Sequence, residues 1–583
     1  MVFLCSSEKD LTTNTADFKV VAAIDIGSTS SWYASSKTDT FKTDPLDIRI
    51  DKSWMVGRSS YFPTKTATCI LMKGDGSFKS LGHEAQEEYA DIILNDEAKH
   101  YLFFDKFKMA LYNNENISKE MMIKDVKGRE KKAVDVFSLF IVELMKLVMK
   151  NYQEFEFNDI QWVLTVPSVW SDKAKEFMRH CAERIGVRGY RLIIALEPDA
   201  VSVYFQYLHT LKPTVVPKLD RRYMVVDIGG GTVDITAHEK TDDGDLIELC
   251  KSTGNDVGGS EVDYQFLALF RQIVNDRVMN TLLTDDRYID SYFDILREIE
   301  KCKRNILASD NNKLHFRIPF SNLDTLCRDY NNKSLSETIA SSKYSEKISL
   351  KGEHMSFLRS ILLSLFAPVG DRISKEIRKV IEKDLQINMI LLAGGLSKSP
   401  LIVKNIEDSF KGMKIIKLPE EYPADLAVVT GAVLYGHRPH FITSRITEYT
   451  YGRLMQPEFE TEKHDPAKLI TINGIDHCKD VFEILVPKNT RVNVNKKIRK
   501  EYKGMHKSQK EIRIAVYTTK KNQVDYVDDP ECKLFCEVLV PLSESADKTR
   551  CVIVDFIFGK TEFLVEAFEK KTKLQYNVSV ELK

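Results

Sequence analysis

The sequence predicts an α/β protein built from two like halves that face each other across a cleft, followed by a separate all-β domain. Three observations carry the prediction. A strand-and-turn is written twice, as Val20-Val21-Ala22-Ala23-Ile24-Asp25-Ile26-Gly27-Ser28-Thr29 and as Met224-Val225-Val226-Asp227-Ile228-Gly229-Gly230-Gly231-Thr232-Val233-Asp234. Strands alternate with helical periods through most of the chain, which is the α/β signature. After about residue 440 the helical period gives way to two-residue alternation.

In each copy of the strand-and-turn, an apolar run rich in β-branched residues reads as a buried strand, an Asp closes it, and glycine with a hydroxyl residue makes the turn. Such a turn grips phosphate. Glycine lets backbone N–H groups approach phosphate oxygens, the hydroxyl adds a donor, and the Asp holds hydrated Mg²⁺ through its waters. One copy by itself reads as an ordinary hairpin turn. The second copy makes the case for a duplicated fold that closes on a nucleotide from both sides, one loop per lobe.

The remaining elements follow in order. Val136 to Met149 reads as a core helix, and Ile160 to Pro167 as a strand. A helix starts at Ser171, an N-cap residue, and places Ala174, Phe177, Met178, Cys181, Ala182 and Ile185 on one face before Gly186 stops it. Met389 to Ala393 forms a strand that runs into Gly394-Gly395, with a helix opening near Pro400. Glycines after a strand mark the place where open α/β sheets bind ligands. In the β region, Ile512/Ile514/Val516, Val552/Val554/Phe556/Phe558 and Leu574/Tyr576/Val578/Val580/Leu582 each line one face of a strand. Lys496 to Arg513, with eight Lys or Arg residues around Gly504, reads as a solvated hairpin loop rather than a surface for an acidic partner.

Composition bounds the function. Hydrophobic residues make up 43% and charged residues 29%, and 84 Lys plus Arg nearly cancel 85 Asp plus Glu, so neither disorder nor a nucleic-acid-binding surface is expected. Val2-Phe3-Leu4 is too short for a secretory segment, and Val136 to Met149, carrying Glu143 and Lys146, is too short to span a bilayer. A soluble, cytoplasmic protein is expected. Scattered cysteines such as Cys69, Cys181, Cys302 and Cys551 read as reduced core thiols, and Cys532 with Cys536 lacks a second ligand pair for zinc.

With both loops, the strand-Gly-Gly site and the β-rich tail in hand, the sequence resembles the 70-kilodalton heat-shock chaperone family over nearly its whole length. Phe103-Phe104-Asp105-Lys106-Phe107-Lys108-Met109 and Gly431-Ala432-Val433-Leu434-Tyr435-Gly436 look most similar to the divergent heat shock 70 kDa protein 12 branch. The resemblance implies two actin-like, ribonuclease-H-like ATPase lobes, with an N-terminal extension over 1–18, lobe one over 19–218, lobe two and the return to lobe one over 219–437, a linker over 438–455, and a β-sandwich over 456–583. It also implies ATP or ADP with Mg²⁺ as cofactor.

The roles carry over residue by residue. Asp25 and Asp227 match the metal-holding aspartates, and Gly27, Ser28, Thr29, Gly229, Gly230, Gly231 and Thr232 the phosphate loops. Thr232 and Asp234 match residues that place the γ-phosphate and attacking water, and Thr165-Val166-Pro167 with Glu197-Pro198 matches the connecting motif. Lys108 matches the catalytic lysine, with Lys106 as the alternative, and Glu197 reports to that site. Glu300, Lys303, Arg304, Gly394, Gly395, Lys398 and Asp425 fall where the family contacts adenosine, although Glu300 with Lys303 or Arg304 also reads as a surface ion pair.

Departures accompany the match. Lys398 replaces an adenine-stacking Arg and lacks its planar surface, Leu396 replaces a Ser, Ser30 an aromatic, and Asp199 a Thr. His440 to Thr447 stands where the family has an acidic, leucine-rich linker. Leu485-Val486-Pro487-Lys488-Asn489-Thr490 resembles the peptide-binding sandwich, and the sequence ends at Lys583 without the family's helical lid. The function expected is that of a weak, chaperone-type ATPase. Its nucleotide state modulates a β domain for extended or unfolded polypeptide or a dedicated partner, with a nucleotide-exchange factor as a further partner. The alternatives are a nucleotide-gated scaffold with little hydrolysis and a small-molecule kinase of the same superfamily.

Overall fold

The structure is a computed structural model that describes residues 18–50, 65–187, 189–305, 313–472, 474–504, 509–542, 551–570 and 575–579. Its centre is a pair of sheets with one pairing plan. The first orders the strands Leu192–Leu196, Ile160–Val166, Val20–Ile26, Ser30–Lys37 and Arg49–Ile50. The second orders Lys414–Ile416, Met389–Ala393, Arg222–Ile228, Val233–Lys240 and Leu246–Asn255, and then continues with Ile442–Ile446 and Arg491–Asn493.

In both sheets the strand that ends in the phosphate turn pairs antiparallel with the strand after it and parallel with one from much later in the chain. The register places Asp25 opposite Trp32 and Asp227 opposite Asp234. The repeat seen in the sequence is therefore also a repeat of hydrogen-bonded register. Both phosphate strands are buried along nearly their full length, which explains why they read as continuous apolar runs instead of alternating ones.

Helices supply the cover. Ala133–Lys150 and Asp172–Arg184 pack on the outer face of the first sheet through Phe137, Phe140, Phe177 and Met178. Ser171 caps the second of these as expected, its hydroxyl accepting from the Ala174 N–H at 3.3 Å. Glu197–Leu211 and Ala427–His437 lie between the two sheets. One apolar cluster joins them to Val21 and Val163 of the first sheet and Val225 and Leu391 of the second. A Cβ at Gly431 would stand 1.8 Å from the Ala200 carbonyl oxygen, so glycine is what lets these two helices touch.

Glu300, Lys303 and Arg304 lie on a helix that runs from Ile289 to Asn305. Among the described residues no helix is long and apolar enough to cross a membrane.

The C-terminal region holds two four-stranded antiparallel sheets. One orders Val481–Val486, Thr450–Met455, Glu511–Thr519 and Lys533–Pro541, and the other Lys496–Lys503, Cys551–Phe558, Leu564–Glu569 and Gln575–Ser579. Ile514, Val516 and Val538 from the first and Val554, Phe556 and Val565 from the second share one core. The strand expected over 574–582 is described only at 575–579.

One expectation is corrected. The basic stretch Lys496 to Arg513 is not a hairpin loop, because Lys496–Lys503 and Glu511 onward are strands of opposite sheets; residues 505–508 lie outside the described part. Ile498 and Tyr502 turn inward while the cations turn out, where Arg499 donates to Asp555 at 2.7 and 2.8 Å and Lys497 to Glu566 at 2.8 Å. The charge had masked a two-residue alternation. Residues 438–455, expected as a linker, carry the strands Ile442–Ile446 and Thr450–Met455, the first paired parallel to Leu246–Asn255 of lobe two.

Candidate nucleotide cleft

The two glycine loops fold alike. The Gly27 N–H donates to the Ser30 carbonyl at 3.0 Å and the Gly229 N–H to the Thr232 carbonyl at 2.9 Å. The loops also touch one another from opposite lobes. A Cβ at Gly230 would stand 2.1 Å from Thr29 Oγ1, and one at Gly231 2.6 Å from Ser28 Oγ, so glycine at both positions permits the approach. Gly27, Ser28, Thr29, Gly229, Gly230 and Thr232 line the resulting cleft, whereas Gly231 closes the contact behind it.

Lys108 enters from the short helical turn Phe107–Leu111, whose Phe107 and Leu111 are anchored in the core of lobe one. The chain enters this turn through Lys106 in the left-handed region, at φ 51°. That geometry sends Lys108, not Lys106, into the cleft. The Lys108 ammonium donates to Glu197 at 2.7 Å and lies 5.2 Å from the Trp170 ring centre. Lys108 and Glu197 are both buried.

Three aspartates surround this pair. The Thr165 hydroxyl donates to Asp25 at 2.6 Å, and the Ser168 hydroxyl and Val169 N–H donate to Asp234 at 2.9 and 3.2 Å. Asp227 Oδ1 and Asp234 Oδ2 are buried and accept no hydrogen bond. Burial, then the negative charge of Glu197, pushes Asp25 and Asp234 up to about 7 and Asp227 well above the carboxylate range. Buried like charges of this kind call for a cation. Among the described residues no group of three His, Cys, Asp or Glu side chains is placed to ligate a metal directly. The two unsatisfied carboxylate oxygens, Asp227 Oδ1 and Asp234 Oδ2, fit a cation such as Mg²⁺.

The far end of the cleft is built by the helix Ile289–Asn305. Lys303 stands 2.8 Å from both Glu300 and Asp263, and Arg304 2.7 Å from Glu300. Lys65, from lobe one, reaches Glu300 at 3.2 Å across the opening. Burial alone would raise the Glu300 carboxyl, but Lys303, Lys65 and Arg304 outweigh it and hold it well below its ordinary value. Gly394, at φ +84°, leaves room for Asp227, since a Cβ there would lie 2.3 Å from Asp227 Oδ1. Gly395 and Asp425 line the cleft; Lys398 sits just outside it, ion-paired with Asp425.

A sequence model described as Hsp70 protein matches residues 99–529, well over half of the chain. The chain belongs to the Hsp70 family. It is 28% identical to human heat shock 70 kDa protein 12A, over 97% of this chain and 91% of that protein. Mouse heat shock 70 kDa protein 12A and human heat shock 70 kDa protein 12B are each 27% identical over the same shares. Membership in the Hsp70 family brings a two-lobed ATPase fold, and the family in general binds ATP or ADP with Mg²⁺.

Several lining residues escaped the motif reading, among them Trp32, Lys65, Gly259 and Val428. A signal for Trp32 existed. In the duplicated register it occupies the place of Asp234, so superposing the two copies finds it. Lys65 had none, because its arrival beside Glu300 depends on how the lobes meet. Leu396, noted as a departure, adds an apolar wall beside Val428 where the family's Ser would be polar.

Proposed function

We propose that this chain binds Mg-ATP between its lobes and hydrolyses it slowly. The nucleotide state then biases a C-terminal β-sandwich that engages extended or unfolded polypeptide or a dedicated protein partner. The single observation behind this reading is the convergence of two glycine loops, Lys108, Glu197 and an under-neutralised carboxylate set on one cleft. Asp25 and Asp227 would hold the hydrated Mg²⁺, whose charge, once bound, offsets that of the phosphates. Backbone N–H groups of both loops and the hydroxyls of Ser28, Thr29 and Thr232 would orient the phosphates. Lys108, steered by Glu197, offsets charge that develops on the transferred group, and Asp234 holds the attacking water. Glu300, Lys303 and Arg304 would take the ribose and base. A nucleotide-exchange factor would act on lobe two, which carries those three residues.

The scaffold reading, with little hydrolysis, draws on the Lys398–Asp425 pair, which puts an ammonium without a planar surface where the resemblance expects a stacking Arg. Calorimetry with Mg-ATP and single-turnover hydrolysis, with and without an unfolded polypeptide, test both readings. Binding with slow turnover that polypeptide accelerates supports the chaperone-type reading. Binding without turnover supports the scaffold, and no binding at millimolar nucleotide overturns both.

A further inference from the structure

Arg445 lies on the strand Ile442–Ile446, in the segment that departs from the family's linker. That strand pairs with Leu246–Asn255 of lobe two on one side and with Arg491–Asn493 of the β region on the other. The Arg445 guanidinium is withdrawn from solvent and faces a helix of lobe one as well as its own sheet partner. Its Nη2 donates to Asp199 at 2.5 Å, and its Nη1 lies 3.8 Å from Glu248. The Arg445, Asp199 and Glu248 side chains are 9%, 1% and 7% exposed, so the whole cluster is out of water. His238 completes it, with Nε2 3.3 Å from the other Asp199 oxygen.

Asp199 stands two residues after Glu197 on the helix Glu197–Leu211. The first turn of that helix therefore sends one carboxylate to Lys108 in the cleft and another to Arg445 in the linker strand. A buried ion pair is costly to open, because removing one partner leaves the other charged and desolvated. Coupling between distant sites requires an element with discrete arrangements, and the structure holds this one in its paired form.

We propose that Arg445 and Asp199 are positioning residues, an ionic tie through which the linker strand holds the first turn of the Glu197 helix, and so Lys108, in place for hydrolysis. This rests on the ATPase reading above. It goes further by assigning a role to two residues that are both departures from the family pattern and that lie outside the cleft lining. Arg445 bears on three parts at once: lobe one through Asp199, lobe two through Glu248, and the β region through its pairing with Val492. A change in the angle between the lobes must therefore stretch the tie.

The test is a double-mutant cycle on the full chain with Arg445→Ala, Asp199→Asn, their combination, and Arg445→Lys. Each is read by ATP affinity, single-turnover rate and hydrogen exchange. The expected result is a rate loss of about tenfold in either single variant with ATP affinity unchanged, no further loss in the double variant, and partial rescue by Lys. Additive losses, or parallel losses of affinity and rate, would overturn the tie. If wild-type protein does not bind ATP, the ATPase reading fails separately, and exchange in nucleotide-free protein decides this one. Joint deprotection of residues 442–446 and the first turn of the Glu197 helix in Arg445→Ala sustains the tie; deprotection of 442–446 alone refutes it.

Discussion

Lys108 and Glu197 form a buried ion pair of 2.7 Å that joins a short turn of lobe one to the first residue of the helix running between the two sheets. The pair sets a cation among four carboxylates, and three of those carboxylates already have raised proton affinity. Lys108 is thus the cleft's own counter-charge before any metal arrives.

Replacing Lys108 by Ala should leave ATP affinity within a few fold and cut single-turnover hydrolysis by about 10²- to 10³-fold, because a charge aimed at the transition state acts on rate. Lys106→Ala, at the left-handed entry to the same turn, should leave the rate unchanged. If the two results are reversed, the assignment of the lysine is wrong.

Asp25→Asn keeps an acceptor for the Thr165 hydroxyl but removes one buried charge. A carboxyl with a raised folded-state pKa holds its proton more tightly than in the unfolded chain. Its contribution is therefore most favourable below about 4 and declines as pH climbs through about 7. In chelator at pH 8, Asp25→Asn should be more stable than wild type by on the order of 1–3 kcal/mol and melt correspondingly higher. With Mg-ATP present the order should invert, since the variant loses the ligand's stabilisation. Melting scans with and without Mg-ATP check both halves.

Gly394→Ala places a methyl 2.3 Å from Asp227 Oδ1 at a backbone angle that suits glycine, whereas a Cβ at Gly395 meets nothing within 4 Å. The first substitution should cost at least ~2 kcal/mol and abolish ATP binding, while the second stays within about 0.5 kcal/mol of wild-type stability. Urea unfolding and calorimetry read the contrast. Equal effects would place Gly394 outside the metal-holding geometry.

Glu248 is pushed up to about 7 by burial, partly offset by Arg445 and reinforced by Asp199. Lys175 and the Ile446 N–H also face it, and His238 stands behind Asp199. Its raised value makes the fold less stable as pH rises from about 4.5 to about 7. Glu248→Gln should flatten that part of the stability profile by roughly 1–3 kcal/mol between pH 5 and pH 8, measured by urea midpoints. An unchanged slope would show that the charge is compensated across the whole range.

Local chemistry made the two glycine loops legible. A strand that ends in Asp and turns on glycine and a hydroxyl is specified by neighbouring residues, and both segments do form a strand closed by a like turn. The cap at Ser171 and the strand before Gly394 were read for the same reason. The basic stretch from Lys496 was misread because charge hid its period, and the strands within 438–455 went unread because the partner of the first lies elsewhere in the chain.

By itself, the sequence determined the duplicated turns, the alternation of strand and helix, and the residue types that a nucleotide cleft needs, because each is written in short-range pattern. Only the tertiary structure decided that Lys108 rather than Lys106 faces Glu197, that Lys65 crosses to Glu300, and that Arg445 finds Asp199 246 positions earlier in the chain. Those contacts are set by sheet register and by the packing of one lobe on the other. A period of two or 3.6 residues carries no information about either.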